Sequence, residues 1–535
     1  MSAVEVARPV GRPGVVQLAG LSRKWLSPVA GIVILLAVWQ LIAVTVAAGR
    51  HVVPTIPDVV DALVSDGFYV VHVQTTLWEA TQGFFWGNLV AFAVAGVCLV
   101  APPLRIILTR VAMATYSTPT IAVAPLLIVL FDPDQTKVVM AGLSVFFPTL
   151  LGTLLGLESA PKGAMEIAHV SGASRRFTVL RVQLRAAVVP IAGALSLAAP
   201  AAMVGAMIGE YLGGDTGLGA QLVQAQQALN VERAWAVAIE ATALSTLAYL
   251  AIGAVARRLS YTDTSTEFNG AAPVRARGAG GWWWSPVRAV VSLTVVILLW
   301  FGLVKGMGLN PYLAKTPDQV WTYLVSGTDG SGGQLGEIVG QLLGTLRDAG
   351  IGYLAGTAAA VITAALFLSS PVLEGMFLPL VMTLRAVPLV AMTPIIALIF
   401  GRGLLTVAVL AGAVTFVPTL VIVLAALRAV PKPAIELAHV YGLGWFRSMF
   451  GVRMIYAVPA LAASARVALP GSILGAVLVE ILATGSGIGN VVAVSIGSSE
   501  YLTLWSALAV LTMVTALFYA LLSTLESAAL ARLAQ

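Results

Sequence analysis

Long apolar runs separated by short polar segments make up most of this 535-residue sequence. One run, "SPVAGIVILLAVWQLIAVTVAAG", extends from Ser27 to Gly49 without a charged residue. About 20 apolar residues in a helix cross the roughly 30 Å hydrocarbon core of a membrane, and a helix satisfies its own backbone hydrogen bonds there. The recurrence of such runs predicts an all-α polytopic membrane protein.

The spacing of the runs predicts about twelve transmembrane helices, six in each half of the chain. The predicted spans are 28–48, 80–100, 110–131, 137–157, 187–210 and 234–256, followed by 287–307, 348–369, 375–400, 404–427, 457–482 and 503–527. The polar, Gly/Ser/Thr-rich segment between the halves is typical of a flexible linker. We therefore divide the chain into a tail (1–27), a first transmembrane domain (28–260), a linker (261–286) and a second transmembrane domain (287–535).

The two halves are sequence repeats. "AGLSVFFPTLLGTLLGLESAPK" from Ala141 matches "AGAVTFVPTLVIVLAALRAVPK" from Ala411, and "TLWEATQGFFWG" from Thr76 matches "TLRDAGIGYLAG" from Thr345. An even number of spans in each unit gives both copies the same orientation. The repeats are therefore predicted to be parallel, related by an axis along the membrane normal.

Composition and charge support the membrane assignment and indicate its orientation. The chain is 59% hydrophobic and 10% charged, with a mean hydropathy of +0.94, which is far from the balance of soluble domains. Its formal net charge is +6, and most Lys and Arg residues fall in segments on one side of the predicted membrane. Cytoplasmic loops carry the positive excess, so both termini are predicted to be cytoplasmic. The charge indicates topology and does not indicate nucleic-acid binding.

A polar segment occurs twice on that cytoplasmic side, between the fourth and fifth span of each half. It reads "PKGAMEIAHVSGASRRF" from Pro161 and "PKPAIELAHVYGLGWF" from Pro431. Proline suits the first turn of a helix and glycine suits the position just past its end. The segments are therefore predicted to form short helices of about 11 residues, Pro161–Ser171 and Pro431–Tyr441, followed by sharp turns at Gly172 and Gly442.

The repeated segment resembles the coupling loop of binding-protein-dependent, ATP-driven importer permeases. The matching residues are Glu166, Ala168 and Gly172 in the first copy, and Glu436, Ala438 and Gly442 in the second. The distance from this glycine to the next proline, Pro190 or Pro459, is one residue longer in the first copy, which suggests an insertion. The flanking sequences are similar to the nitrate, sulfonate and taurine branch, which also contains permeases for pyrimidine precursors of thiamine.

The resemblance implies a type I importer-like permease in which two protomers are fused, so that no homodimer is required. Each loop would dock on one of two ATP-binding cassette ATPase subunits, and an extracytoplasmic solute-binding protein would deliver the substrate. ATP would be bound by the ATPase subunits, and this chain would need no cofactor of its own. The resemblance places such a protein in the bacterial cytoplasmic membrane, in contact with lipid. Glu166 and Glu436 would pair with a basic group of the ATPase or hold the loop's own geometry.

Charges predicted within the spans suggest the kind of solute. Arg385 and Arg466 fall inside spans of the second half, where charges are costly and commonly functional. Two cations on the translocation path suit a small anion. The alternatives are internal salt bridges, for example with Glu480 or Glu240, or side chains that extend to the membrane interface. Glu210 and Glu480 precede Gly-rich turns at the far ends of the fifth spans, and they would either form a gate or stabilise that end structurally.

The remaining motifs separate the function classes. None of the lysines lies in a phosphate-binding G-x-x-x-x-G-K-[ST] loop, and the four scattered histidines form no metal-binding motif. We therefore predict a permease that is not itself an enzyme, for a nitrate-, sulfonate- or taurine-like solute. A permease for a thiamine-precursor pyrimidine or similar neutral heterocycle is the nearest alternative. An ion-coupled secondary transporter is the alternative of another class, but it would not need the repeated loop.

Overall fold

The computed structural model describes residues 15–45, 52–65, 69–101, 131–259, 284–306, 308–327, 332–384 and 387–533, with a few single positions between 102 and 130. Every regular element within these residues is helical. Eight of the described helices are long and apolar enough to cross a membrane, and shorter apolar helices accompany them. The predicted class, an all-α polytopic membrane protein built from two repeats, is confirmed.

The helices of the two halves follow each other in the same order. Those described in the first half are α1 (Val15–Val44), α2 (Ile56–Ser65), α3 (Tyr69–Val100), α4 (Pro133–Glu158), α5 (Lys162–Val170), α6 (Arg175–Thr178), α7 (Leu184–Gly213), α8 (Leu218–Gln227) and α9 (Val231–Leu259).

Those of the second half are α10 (Trp284–Gly306), α11 (Pro317–Ser326), α12 (Leu335–Ser369), α13 (Pro371–Leu384), α14 (Leu389–Phe400), α15 (Leu404–Arg428), α16 (Lys432–Val440), α17 (Trp445–Ser448), α18 (Met454–Val479), α19 (Gly487–Gly497) and α20 (Tyr501–Leu533). Short π-helical turns, Val179–Gln183 and Met449–Arg453, lead into α7 and α18.

One predicted span is wrong as a single helix. The stretch 375–400 contains parts of two helices, α13 and α14, and Pro388 precedes α14 in an extended conformation, with φ −70° and ψ 105°. A proline has no N–H to continue the helical hydrogen bonds, so a new helix starts after it. The corresponding first-half span, 110–131, lies largely outside the described residues, as does most of the predicted linker.

Two other helices begin much earlier than the predicted spans. Helix α3 begins at Tyr69 rather than at residue 80, and α12 begins at Leu335 rather than at residue 348. The predicted spans began one residue after Glu79 and at Asp348. The structure instead includes both carboxylates within continuous helices, where neighbouring cations pair with them.

Small residues form a close contact between two helices of the first half. Gly83 and Gly87 of α3 lie against Ala141 and Gly142 of α4, and a methyl group added at Gly87 would lie 2.5 Å from the carbonyl oxygen of Gly142. Lipid gives no hydrophobic drive for helices to associate, so close backbone approach at glycines supplies the packing energy instead.

The second half repeats this contact. Gly352 and Gly356 of α12 lie against Ala411 and Gly412 of α15, and a methyl group added at Gly352 would lie 2.5 Å from the Cβ of Ala411. The two halves therefore share their packing geometry as well as their helix order.

Buried side chains join the two halves. Ala391 and Ile395 of α14 belong to one buried cluster with Met207 and Leu222 of the first half. At a second contact, α1 packs on α13, where Gly31 approaches the Met376 carbonyl too closely to allow a side chain. The first helix of one repeat therefore packs on the other repeat, and the halves form one body.

We expect Gly87→Val to destabilise the protein because its side chain would overlap the α4 backbone. Overpacking of this kind costs about 1–3 kcal/mol. Gly96→Val is the matched control, since Gly96 lies on the same helix and no described residue comes within 4 Å of a Cβ added there. Thermal unfolding of the purified proteins measures the difference, and equal midpoints for the two variants would contradict the proposed packing.

Candidate functional site

The two repeated polar segments fold as matching short helices. They are α5 and α16, nine residues each, and we call them the loop helices. Pro161 and Pro431 precede them with nearly identical backbone angles, ψ 132° and 131°. The predicted helices are confirmed to within one residue at each end.

A tight turn at a glycine ends each loop helix. Gly172 and Gly442 both have φ +67°, in the left-handed region that favours glycine. The Gly172 N–H donates to the His169 carbonyl at 3.0 Å, and the Ala173 N–H donates to the Ala168 carbonyl at 2.9 Å. This pair of bonds is the Schellman motif, which satisfies carbonyl groups left over at a helix end.

The second loop helix has the same cap. The Gly442 N–H donates to the His439 carbonyl at 2.9 Å, and the Leu443 N–H donates to the Ala438 carbonyl at 3.0 Å. Both turns therefore redirect the chain in the same way.

Each loop helix anchors one small residue and exposes an apolar edge. Ala168 and Ala438 are the buried residues of their helices. On the exposed side, Val170 and Val440 are 87% and 83% accessible. Ile167 and Leu437 are exposed as well. Exposed apolar side chains on a short, firmly capped helix are typical of a docking surface.

The loop-helix glutamates face outward. Glu166 and Glu436 are both exposed, and neither makes a side-chain hydrogen bond or ion pair within the part of the chain that the structure describes. Two roles were predicted for these glutamates, pairing with a partner protein or holding the geometry of the loop. Their exposure and lack of internal contacts favour the first role.

The register between the repeats is unbroken after the loop helices. The two π-helical turns start 270 residues apart, at Val179 and Met449, and Glu210 and Glu480 keep the same separation. The suggested one-residue insertion before Pro190 is therefore wrong. The proline simply stands one position later along the helix in the first copy than in the second.

At the opposite end of α7, a buried carboxylate joins three elements. Glu210 is fully buried and accepts the Thr76 hydroxyl at 2.6 Å and the Gly219 N–H at 2.7 Å. The same hydroxyl oxygen accepts the Leu218 N–H at 2.9 Å. We call this arrangement a glutamate cradle, because the carboxylate and the threonine together satisfy the free N–H groups at the start of α8.

The second half has a matching glutamate cradle. Glu480, 3% exposed, accepts the Thr345 hydroxyl and the Gly489 N–H, both at 2.9 Å. The Ile488 N–H donates to Thr345 at 2.9 Å. Gly487, with φ +83°, lies directly against the carboxylate and leaves no room for a side chain.

The cradles favour a structural role for these two glutamates. A carboxylate at a helix N-terminus is stabilised by the N–H groups and by the helix dipole. Here one oxygen of Glu210 accepts the Gly219 N–H and the other accepts the Thr76 hydroxyl, so both oxygens are occupied. The placement of Glu210 and Glu480 on the translocation path stays a prediction.

The sequence analysis missed a buried ion pair in the first half. The Lys137 ammonium lies 3.2 Å from the Glu79 carboxylate, and both side chains are less than a tenth exposed. At the position that matches Lys137, the second half has the buried Val407. Both charged residues stood at the edges of predicted spans, and neither was among the predicted site residues. The sequence feature that could have indicated this ion pair is a lysine aligned with a valine at the equivalent position of the other repeat.

Of the two arginines predicted to line the translocation path, Arg466 is among the described residues and Arg385 is not. Arg466 is half-buried on α18, and its first-half counterpart, Ser196, is buried and donates to the Ala192 carbonyl at 2.9 Å. Arg385 lies outside the described residues. The described residues contain no group of three or more His, Cys, Asp or Glu placed to hold a metal ion.

Two regions of the chain, residues 83–261 and 352–535, match the family model described as "Binding-protein-dependent transport system inner membrane component". A probable ABC transporter permease protein of Haemophilus influenzae is 27% identical over 229 residues, which cover 42% of this chain and 94% of that protein.

Two further relatives carry substrate names. A riboflavin transport system permease protein of Chloroflexus aurantiacus is 32% identical over 154 residues, 29% of this chain and 58% of that protein. A putative aliphatic sulfonates transport permease protein of Bacillus subtilis is 24% identical over 207 residues, 38% of this chain and 75% of that protein.

We expect Thr345→Val to destabilise the second cradle because it removes the hydroxyl that links Glu480 to the start of α19. Leaving buried polar groups unpaired costs about 1–3 kcal/mol. Thr515→Val is the control. Thr515 is equally buried, but the hydrogen bond that its hydroxyl makes among the described residues is to the Leu511 carbonyl of its own helix. Thermal unfolding compares the variants, and indistinguishable midpoints would argue against the cradle.

Proposed function

Because the chain belongs to the family of binding-protein-dependent transport system inner membrane components, we propose that it is a fused pair of permease domains in an ATP-driven importer. The permease function and the membrane embedding follow from the family and from the helices. The family supports no ion-coupled mechanism.

The observation that carries the proposal is the pair of matching loop helices. Both are capped by a glycine at φ +67°, both bury one alanine, and both expose a valine at the end. A rigid helix transmits a rigid-body displacement to the helix that follows it. We assign one loop helix to each of two ATP-binding cassette ATPase subunits, which bind the ATP.

The loop helices and both termini are proposed to be cytoplasmic. The positive charge of the neighbouring segments supports this orientation, since cytoplasmic loops hold the excess of Lys and Arg. The opposite face of the membrane would then receive an extracytoplasmic solute-binding protein. The complete importer would reside in a bacterial cytoplasmic membrane.

Glu166 and Glu436 are proposed to pair with basic side chains of the ATPases. Their carboxylates are exposed and unpaired among the described residues. Ala168 and Ala438 hold the opposite side of each helix against the permease, so that the glutamates and the apolar edge present a fixed surface to the partner.

The solute is proposed to be a small anion of the sulfonate, nitrate or carboxylate kind. The half-buried Arg466 on α18 supports an anion, because a guanidinium binds such groups through paired N–H donors. The similarity to the sulfonate permease agrees with this class. The similarity to the riboflavin permease favours a neutral heterocycle as the second candidate.

We expect replacement of both loop-helix glycines by valine (G172V/G442V) to uncouple the importer. A β-branched residue strains a left-handed backbone position by roughly 1–2 kcal/mol. Among the residues that the structure describes, none lies within 4 Å of a Cβ added at either glycine, so the expected cause is backbone strain and not steric overlap. The measurements are ATPase co-purification and ATP-dependent uptake in reconstituted vesicles.

The control for this variant is G172N/G442N, because asparagine tolerates the left-handed region. We expect it to keep most of the coupling. Full ATP-dependent uptake by the valine variant would exclude the loop helices as the coupling elements.

We expect Arg466→Gln to reduce anion uptake by roughly tenfold or more, because it removes a hydrogen bond to a charged group. Arg466→Lys keeps the positive charge and is expected to retain part of the uptake. Uptake of a sulfonate and of riboflavin is measured side by side in the reconstituted complex, with thermal unfolding to check stability. Unchanged sulfonate uptake by Arg466→Gln would contradict the anion assignment, and riboflavin uptake that survives it would support the heterocycle.

A further inference from the structure

The segment that leads from the first loop helix into α7 carries four arginines, and its counterpart in the second half carries none at those positions. The four, which we call the arginine segment, are all exposed. They are Arg175, Arg176, Arg181 and Arg185, and the matching second-half residues are Trp445, Phe446, Gly451 and Ile455.

An apolar stripe runs beside these arginines. Leu180, Leu184 and Val188 are 61%, 39% and 37% exposed and recur every four residues, so they share one helix face. The stripe continues into α7, which belongs to a candidate membrane span. Exposed apolar side chains on a membrane helix face lipid, so this stripe marks where the helix enters the hydrocarbon.

Arg181 and Arg185 each follow a leucine of that stripe by one residue. Both arginines are exposed and lie next to the stripe around the helix. Arginines near the ends of membrane helices extend their guanidinium groups toward the headgroups while their stems cover apolar surface. The Arg175 guanidinium donates to the Leu99 carbonyl at 2.6 Å, so this arginine is bound to the C-terminal end of α3.

No described acidic residue of this chain neutralises Arg176, Arg181 or Arg185. Arg176, Arg181 and Arg185 make no side-chain hydrogen bond or ion pair in the part of the chain that the structure describes. Three unpaired guanidinium groups beside a lipid-facing stripe are complementary to a ligand with an anionic head and an apolar tail.

We propose that the arginine segment binds the phosphate headgroup of an anionic phospholipid, and that the second half has no equivalent site. Phosphate oxygens accept the paired N–H donors of arginine, and the acyl chains pack on Leu180, Leu184 and Val188. An acidic surface of a partner protein would match the charge but would leave the adjoining apolar stripe without a role. The inference requires only that α7 lies in the membrane, and it is independent of the solute and of the coupling assignment.

The test uses the full chain, purified in detergent and depleted of lipid. Thermal stabilisation is titrated with phosphatidylglycerol, with phosphatidylcholine and with inorganic phosphate. We expect phosphatidylglycerol alone to stabilise the wild type. Each arginine near an anionic membrane surface strengthens lipid binding. Loss of both in R181Q/R185Q is therefore expected to weaken phosphatidylglycerol binding roughly 30-fold.

Two further variants control for charge and for folding. R181K/R185K keeps the charge and is expected to retain most of the binding. R447Q removes the exposed Arg447 from the second half and is expected to bind like the wild type. If R181Q/R185Q unfolds before titration, the single variants R181Q and R185Q are titrated instead, with an intermediate loss expected.

Three results would overturn the inference. Equal stabilisation by phosphatidylcholine would show that the headgroup charge is irrelevant. Equal stabilisation by inorganic phosphate would show a free-anion site. Unaltered phosphatidylglycerol binding by R181Q/R185Q, with or without a loss of ATPase binding, would assign the arginines to another partner.

Discussion

A carboxylate buried at the end of a membrane helix determines how each half of this chain is closed. A helix that starts inside protein and lipid has free N–H groups that water cannot reach, and each unsatisfied group is costly there. Glu210 and Glu480 remove this cost by accepting those donors together with a threonine from a third helix. Three helices are thereby fixed to one another at a single point in each repeat.

The same helices carry the loop helices at their other ends. Helix α7 has 30 residues, and in the first half it connects a turn fixed by Gly172 with the cradle around Glu210. Between these points the helix contains no break, although a π-helical turn precedes it. Under the proposed coupling, a displacement at the loop helix would reach the cradle along one continuous helix. Gly205 and Gly209 of α7 lie against α4 and would carry the movement into the rest of the half.

The sequence was sufficient to predict the class, the duplication and the loop helices, because apolar run length, repeated motifs and proline-to-glycine punctuation are local signals. It was not sufficient for the break before α14, since prolines are common within membrane helices and only packing decides which of them interrupts one. It also missed Lys137, because a lysine at the edge of an apolar run looks interfacial until a partner such as Glu79 appears from another helix. The cradles required contacts between residues more than 130 positions apart.

The ion pair between Lys137 and Glu79 exists in one repeat, with Val407 at the lysine's position in the other. A permease made of two identical chains presents every charge twice around its axis, so an unsymmetrical solute lying on that axis has two orientations of equal energy. Fusion of the repeats removes this equivalence, because each half has diverged separately. The two halves of this chain therefore need not present the same charges to each other, and the buried Lys137 opposite a valine position is one place where they differ.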